Sequence, residues 1–181
     1  PEIETGIYCT RSQEHGLEGV MDLELIKLAS PALEKGISVN AQVDINNTNR
    51  ATGAMLSGKV CSVYGEEGCI EDTINFKFKG VAGQSFGAWL AKGVTFELEG
   101  MANDYIGKGI SGGKIIVYPD RKTDYDTSKN IIIGNTSFYG AISGEAYISG
   151  VAGERFCISN DCVCAYRRGI LNRVLLVSSY D

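Results

Sequence analysis

Alternation of apolar and polar residues predicts two strands, one before and one after a helix. VNAQVDI at 39–45 and DTINFKFKG at 72–80 alternate with the period of a pleated strand. Residues 52–64 instead carry an apolar stripe at helical spacing, which ends at Gly65. The stripe consists of Leu56, Val60, Val63 and Tyr64.

Two further short helices are expected near the N-terminus. Asp22 stands at the start of LELIKLA, where its carboxylate can cap that helix. Ser30 followed by Pro31 is a second start signal, and Gly36 ends PALEK. We interpret residues 1–79 as a cap segment of short helices and strands that covers the open end of the fold behind it.

Glycine recurs at a fixed interval after residue 80. GVAGQSFGAWLAKGVTFELE at 80–99 aligns with GMANDYIGKGISGGKIIVYP at 100–119, a period of 20 residues. GVAGERFC at 150–157 begins another copy. AISGEAYIS at 141–149 matches GISGGKIIV at a displacement of 32, which is one period plus 12 residues. We assign those 12 residues to a polar insertion loop at 119–130.

A single 20-residue repeat is too short to bury its apolar side alone. Stacked on neighbouring repeats, it can bury that side. Stacking predicts that Phe86, Ile106 and Phe156 lie above one another in successive coils. Val94 is likewise expected to stack on Lys114 at the rim. The predicted fold is mainly β, a parallel β-helix with coils over residues 80–157 and an atypical C-terminal tail at 158–181.

GKGISGG at 107–113 begins with the spacing of a dinucleotide-binding fingerprint, GxGxxG. That fingerprint requires a helix after the glycines, because the helix N-terminus faces the pyrophosphate. Here KIIVY follows, a β-rich run closed by Pro119. We therefore interpret the glycines as one corner of a coil.

Composition excludes several classes of protein. The chain of 181 residues is 44% hydrophobic and 22% charged, which is typical of one globular domain. A net charge of -5 with scattered Lys and Arg argues against a nucleic-acid partner. No run approaches the ~20 apolar residues of a membrane span, and the start lacks a secretory signal. We expect a cytoplasmic protein without a membrane partner.

Candidate chemical groups are few. The six cysteines form no CxxC pair and the only histidine is His15, so we expect buried free thiols and no metal site. Lys108, between two glycines, can meet an anion, although nothing else marks a phosphate site. Two polar clusters are more simply interpreted as corner groups that cap backbone, and His15 as a solvated side chain or a cap. The clusters are Asn103, Asp104 and Tyr105, and Glu145, Glu154 and Arg155. The cysteines are Cys9, Cys61, Cys69, Cys157, Cys162 and Cys164. We predict no catalytic, cofactor-binding or metal-binding residue in the chain.

Long motifs resemble a known family. They are NTNRATGAMLSG at 47–58, GVAGQSFGAWLAKGV at 80–94, ANDYIGKGISGGKIIVYP at 102–119, NIIIGN at 130–135 and YGAISGEAYISGVAGERF at 139–156. From about residue 9 to Phe156 the chain is similar to the C-terminal GxGxG-repeat domain of the glutamate synthase large (α) subunit.

The resemblance implies a right-handed parallel β-helix within an oxidoreductase of glutamate biosynthesis and ammonia assimilation. That enzyme converts glutamine and 2-oxoglutarate, with a reductant, into two glutamates. Its glutaminase cysteine, FMN and 3Fe-4S cluster belong to other domains, and the first residue here is Pro1. The expected role is a structural, non-catalytic scaffold that packs against the amidotransferase and FMN-binding synthase domains.

The resemblance stops near Cys157. Residues 159–181, SNDCVCAYRRGILNRVLLVSSYD, contain one glycine, and RRGILNRVLLV fits either a short amphipathic helix or a terminal strand. A shifted reading frame is a further hypothesis for this change. Two other functions also stay open: a β-helix component of a related complex, such as formylmethanofuran dehydrogenase or a glutamate-linked methylamine enzyme, and a carbohydrate-active β-helix enzyme. The last requires a row of acidic residues along successive coils, which the aligned copies lack.

Overall fold

The computed structural model describes residues 12–124, 126 and 129–158, together with the backbone of 162–164 and 172–178. The described chain is mainly β. Its helices are α1 (Met21–Leu28), α2 (Ser30–Lys35), α3 (Ala54–Tyr64) and a 3-10 turn (Gly65–Glu67). Its strands are β1 (Val39–Ile45), β2 (Ile74–Ala82), β3 (Val94–Ala102), β4 (Ser111–Tyr118), β5 (Ile131–Ile133), β6 (Ser143–Ile148), β7 (Val151–Ala152), β8 (Cys162–Cys164) and β9 (Asn172–Ser178).

The strands form one open sheet in the order β1-β2-β3-β4-β6-β9-β8, with β5 paired to β3 and β7. All pairs from β1 to β6 are parallel, and β9 runs antiparallel to β6. The mainly β fold with short N-terminal helices is therefore confirmed. The sheet already begins at β1, inside the segment interpreted as a cap, whereas the division into domains stays a prediction. For the tail, residues 172–178 adopt the terminal strand rather than the helix.

The 20-residue period is visible in the strand register. Ile74 pairs with Val94 and Ala82 with Ala102, each twenty residues further along the chain. The register changes at the next strand pair, between β3 and β4, because Leu90 O accepts hydrogen bonds from the backbone N–H of both Ser111 and Gly113.

The predicted stacking of Val94 on Lys114 is wrong by one residue. Thr95 pairs with Lys114 instead, so the offset between β3 and β4 is one residue shorter than the period. A one-residue shift exchanges the two faces of a strand. Here it buries Ile115 and Val117, whereas the regular period would have turned Lys114 inward.

Cross-strand rows of apolar side chains form the core. Phe76 pairs with Phe96, which pairs with Ile115, and all three are almost completely buried. The Phe78 ring lies 4.9 Å from the Phe96 ring and 5.2 Å from the Phe86 ring, centroid to centroid. Edge-to-face pairs of this kind add about 0.5 to 1.5 kcal/mol to the free energy of burial.

Turns at the strand ends are stacked on one another. We call the turns at residues 83–90, 103–110, 134–141 and 153–158 the turn stack. Backbone hydrogen bonds join equivalent positions: Gly107 N donates to Phe86 O at 2.9 Å, and Phe138 N donates to Ile106 O at 2.7 Å. Phe86 and Ile106 are both fully buried, as the repeat predicted.

One turn of this stack is not visible in the 20-residue repeat. Cys157 N donates to Ser137 O, so the turn that contains Ser137 lies between those of Ile106 and Phe156. Ser137 is buried, and the ring of Phe138 lies 5.7 Å from that of half-buried Phe156. Ser137 is thus the equivalent of Phe86, Ile106 and Phe156, and the aromatic residue of this turn, Phe138, stands one position later.

The glycines of residues 107–113 leave room for side chains of neighbouring turns. A β-strand follows them, so they do not form a dinucleotide-binding loop. A Cβ atom on Gly107 would lie 2.4 Å from the Phe138 ring, and one on Gly109 would lie 2.8 Å from the Trp89 indole.

The N-terminal helices follow the sequence signals except at Asp22. Helix α2 begins at Ser30 with Pro31 in its first turn, and Gly36 ends it with φ +66°, as predicted. In α3 the stripe is buried at Leu56 and Val60, whereas Val63 is exposed.

Asp22 does not cap its own helix. It lies inside α1, and its carboxylate accepts hydrogen bonds from Gly53 N and Leu56 N, both at 2.9 Å, at the start of α3. These donors are buried and have no acceptor within α3, because the first N–H groups of a helix lack an intrahelical partner. Asp22 is buried with them, and desolvation raises the pKa of its carboxyl group despite the hydrogen bonds from Leu56, Gly53 and Met55.

None of the described cysteine side chains forms a disulfide bond. Cys69 is buried as expected, whereas Cys61 is exposed and Cys157 partly exposed. Cys9 and the side chains of Cys162 and Cys164 lie outside the described residues. His15 is exposed.

Gly107 and Gly140 offer a matched test of the stack. Both have left-handed φ, +62° and +63°, but a Cβ atom on Gly140 would meet nothing within 4 Å. We expect Gly140→Ala to lower the free energy of unfolding by about 1 to 2 kcal/mol, the cost of the backbone conformation. Gly107→Ala should cost about 1 to 3 kcal/mol more through overpacking. Urea unfolding of both variants measures the difference, and equal losses would contradict the close stacking.

Asp22→Ala should lower the free energy of unfolding by about 1 to 3 kcal/mol, because it leaves buried N–H donors unsatisfied. In Asp22→Asn the side chain keeps one acceptor oxygen for these donors but has no group that titrates. Since the folded-state pKa is raised, the contribution of Asp22 is fully present below its unfolded pKa and declines as pH rises through the folded pKa. Stability of the parent chain relative to Asp22→Asn should therefore fall between acidic and neutral pH. A difference that does not vary with pH would refute this assignment.

Candidate functional site

A cleft of about 520 Å³ opens on the outer side of the turn stack. We call it the turn cleft; its lining residues are Tyr105, Lys108, Thr136, Tyr139, Arg155 and Ile158. They come from three successive turns of the stack. Side chains that are about 31 and 50 residues apart in sequence are thereby brought to one surface.

Two columns of stacked residues build this cleft. In the first, Tyr105, Thr136 and Arg155 all have left-handed φ, between +56° and +62°. Hydrogen bonds from Tyr105 N to Asn135 O (3.0 Å) and from Thr136 N to Glu154 O (2.8 Å) hold the column. Non-glycine residues adopt this conformation rarely, and backbone outliers cluster at functional sites.

The second column contains Lys108, Tyr139 and Ile158. Gly109 N donates to Tyr139 O at 2.9 Å, and Gly140 N donates to Ile158 O at 3.2 Å. These bonds fix the backbone beside each of the three side chains. The cleft therefore rests on a hydrogen-bonded framework rather than on a free loop.

Two aromatic rings lie close to the Lys108 ammonium group. Its Nζ lies 5.7 Å from the centroids of both the Trp89 and the Tyr105 rings, within the range of a cation–π interaction. The Trp89 indole rests against Gly109 and is 52% exposed. Among the residues that the structure describes, neither Lys108 nor Arg155 forms an ion pair. The turn cleft thus combines exposed aromatic surface with two uncompensated positive charges.

A second cleft of about 410 Å³ lies on the outer face of β1, β2 and β3. Its charged groups pair with one another. Lys77 Nζ lies 3.2 Å from Glu97 Oε1 and 5.8 Å from the Tyr118 ring centroid, and the Tyr118 hydroxyl donates to Glu97. This face is therefore a satisfied network, unlike the turn cleft.

Asp72 joins the edges of β3 and β4. The Thr95 hydroxyl donates to its carboxylate at 2.6 Å, and Lys114 Nζ donates at 2.9 Å. These bonds from Thr95 and then Lys114 lower the pKa of the Asp72 carboxyl group.

The first predicted polar cluster does cap backbone. Asp104 Oδ1 accepts from Asn135 N at 2.8 Å, and Asn103 Nδ2 donates to Asn47 Oδ1 at 2.9 Å. Tyr105, the third residue of the predicted cluster, lines the turn cleft instead.

The second predicted cluster is divided. Glu145 lies on β6 opposite Lys114 and accepts from the Tyr147 hydroxyl, whereas Arg155 lines the turn cleft. In the described part of the chain no three His, Cys, Asp or Glu side chains converge on a common point. No described helix has the length and apolarity to cross a bilayer.

Comparison with known proteins assigns the chain to a family. Residues 22–172, which include the whole turn stack, match the GXGXG motif family. This chain belongs to that family. Over most of its length it is similar to the GXGXG domain of glutamate synthases.

Curated relatives share this segment with a much longer chain. Glutamate synthase [NADH] of Schizosaccharomyces pombe is 49% identical over 163 residues, 90% of this chain and 8% of the relative. Glutamate synthase [NADPH] large chain of Bacillus subtilis is 48% identical over 159 residues, 87% of this chain and 10% of the relative. Ferredoxin-dependent glutamate synthase of Pyropia yezoensis is 41% identical over 155 residues, 83% of this chain and 10% of the relative. The chain spans about a tenth of the length of these relatives.

Sequence patterns reveal little of the turn cleft of this GXGXG chain. They mark Lys108 as a cation between glycines and predict a corner role for Arg155. Tyr139 and Ile158 carry no visible signal, because the 31-residue step from Tyr105 to Thr136 conceals which turns are neighbours. No sequence pattern indicates that Trp89 lies beside Lys108. The period alone does not reveal this step.

We expect Asp72→Asn to destabilise the chain slightly at neutral pH, by less than about 1 kcal/mol since the side chain is 52% exposed. Asparagine tolerates the left-handed φ of +55° at this position, so the loss reports on charge. A lowered folded-state pKa means that the contribution is present above the unfolded pKa and lost as pH falls through the folded pKa. Thermal unfolding midpoints of the two proteins should converge in acid; a gap that persists there would contradict the assignment.

Proposed function

We propose that the chain is the structural GXGXG domain of a glutamate synthase, a right-handed parallel β-helix that holds the amidotransferase and FMN-binding synthase domains together in the cytoplasm. One observation carries this proposal most directly: each turn of the stack is hydrogen-bonded to the next at equivalent positions. A stack of this kind is a rigid body on which large neighbouring domains can be positioned.

Corners in β2 and β3 support coiling of the chain. Gly80 and Gly100 lie opposite each other in the sheet, with φ of +131° and +149°. A Cβ atom on Gly100 would lie 1.8 Å from Gly80 O, so only glycine fits. Beyond these corners Ala102 pairs with Ile133 of β5, whereas the earlier part of β3 pairs with β4. Each coil therefore contributes strand segments to two ladders.

The surface of the chain favours a binding role over a catalytic one. The described lining of the turn cleft contains no carboxylate, thiol or imidazole, the groups that most often carry acid–base and nucleophilic chemistry. The relatives' names include NADH, NADPH and ferredoxin, although all share this segment. A scaffold distant from the electron donor accounts for that variety.

Cofactors are proposed for neighbouring domains. A flavin phosphate favours a helix N-terminus, and the glycine turn at 107–113 leads instead into a strand. Cys69 is buried and Cys61 is exposed on α3, and no described group of side chains has the composition of an iron–sulfur site. Neither FMN nor the cluster fits the described residues.

A chimera tests the proposal. We would replace the matching segment of the Bacillus subtilis large chain with this chain and measure glutamine-dependent glutamate formation. We expect glutamate formation close to that of the parent enzyme, and its loss when the chimera carries Gly107→Leu, which disrupts the stack. Gly140→Leu, the same substitution at a position with open space, is the matched control and should keep the activity. Full activity after deletion of the whole segment would refute the structural role, as would a flavin absorption band in the purified isolated chain.

A further inference from the structure

We infer that the turn cleft is a docking site for an acidic polypeptide segment, whose carboxylates bind Lys108 and Arg155 and whose apolar atoms pack on Trp89, Tyr105 and Tyr139. The identification of that segment as part of a neighbouring glutamate synthase domain rests on the proposed function. The binding chemistry itself does not.

Charge complementarity supports an acidic occupant. The chain carries a net charge of -5, yet the described lining of the turn cleft has two cations and no carboxylate. On the sheet face, by contrast, Lys77, Lys79 and Lys114 each lie within 4.0 Å of a carboxylate oxygen. Lys108 and Arg155 differ in this respect from the three lysines of the sheet face, because neither has a carboxylate partner among the described residues.

The spacing of the two cations fits a polypeptide better than a single small anion. Lys108 and Arg155 belong to turns two steps apart in the stack, which corresponds to about 10 Å at the usual strand separation. An extended segment advances about 3.3 Å per residue, so carboxylates about three positions apart span that distance.

Exposed rings complete the surface. Trp89, Tyr105 and Tyr139 are 52%, 39% and 40% exposed, although each is held by a backbone hydrogen bond within the stack. Aromatic residues and arginine are enriched in protein interfaces, where rigid rings supply contact area at little entropic cost. The surface therefore offers preformed exposed rings beside its two cations.

Trp89 provides a direct readout, because it is the only tryptophan in the chain and Lys108 lies over its ring. We would titrate the chain with hexaglutamate peptide, follow Trp89 emission and measure the heat of binding in parallel. We expect saturable binding that weakens about fivefold to tenfold in Lys108→Gln and in Arg155→Gln. Lys27→Gln, an exposed cation on α1, is the matched control and should bind like the parent.

Four results would overturn the inference: no heat and no emission change with hexaglutamate, an equal loss in Lys27→Gln, unchanged binding in Arg155→Gln, or inorganic phosphate competing as strongly as the peptide. The last would indicate a small-anion site. Circular dichroism of each variant confirms that the fold is intact, and Arg155→Lys should restore part of the binding. Because the titration uses the chain alone, its failure is distinct from failure of the chimera.

Discussion

Hydrogen bonding between equivalent backbone positions of successive turns determines most of this structure. The bonds from Gly107 to Phe86 and from Phe138 to Ile106 hold the turns at the separation of neighbouring strands. At that separation, only small residues leave room where one turn faces a ring of the next. The glycine repeat is thus a consequence of backbone pairing rather than a ligand-binding signature.

The same constraint divides the molecule into an inner and an outer surface. Inside, rows such as Phe76, Phe96 and Ile115 continue from strand to strand and exclude water. Outside, the sheet face compensates its own charges, whereas in the turn cleft Lys108 and Arg155 lie near exposed rings and have no ion pair within the described part of the chain. This asymmetry is the reason why we propose the turns, rather than the sheet, as a docking surface.

Asp22 shows how the N-terminal helices are attached to the stack. Its carboxylate links α1 to the start of α3. Within α3, Ser57 Oγ accepts a hydrogen bond from Ala91 N, directly after the first turn of the stack, at 3.1 Å. Burial of a carboxyl group is unfavourable, and the backbone donors at Gly53 and Leu56 offset it. The helices are therefore tied to the sheet by directional bonds as well as by apolar contacts.

Local pattern was sufficient for the elements of this chain. Alternation at 39–45 and the glycine signals at Gly36 and Gly65 depend only on neighbouring residues, so strands, helix ends and the mainly β fold followed from the sequence. The period likewise predicted that Phe86 and Ile106 share the interior.

Pairing between distant segments was decided only in the tertiary structure. The irregularity at Leu90 shifted β4 by one residue, and Asp22 found its donors 31 and 34 residues away. The turn cleft likewise combines side chains whose spacing is irregular, since an insertion separates Tyr105 from Thr136. Sequence determined which segments form strands and helices, because alternation and helical spacing are local. The fold decided which residues meet and which face of β4 is buried, because both depend on the register that the whole stack adopts.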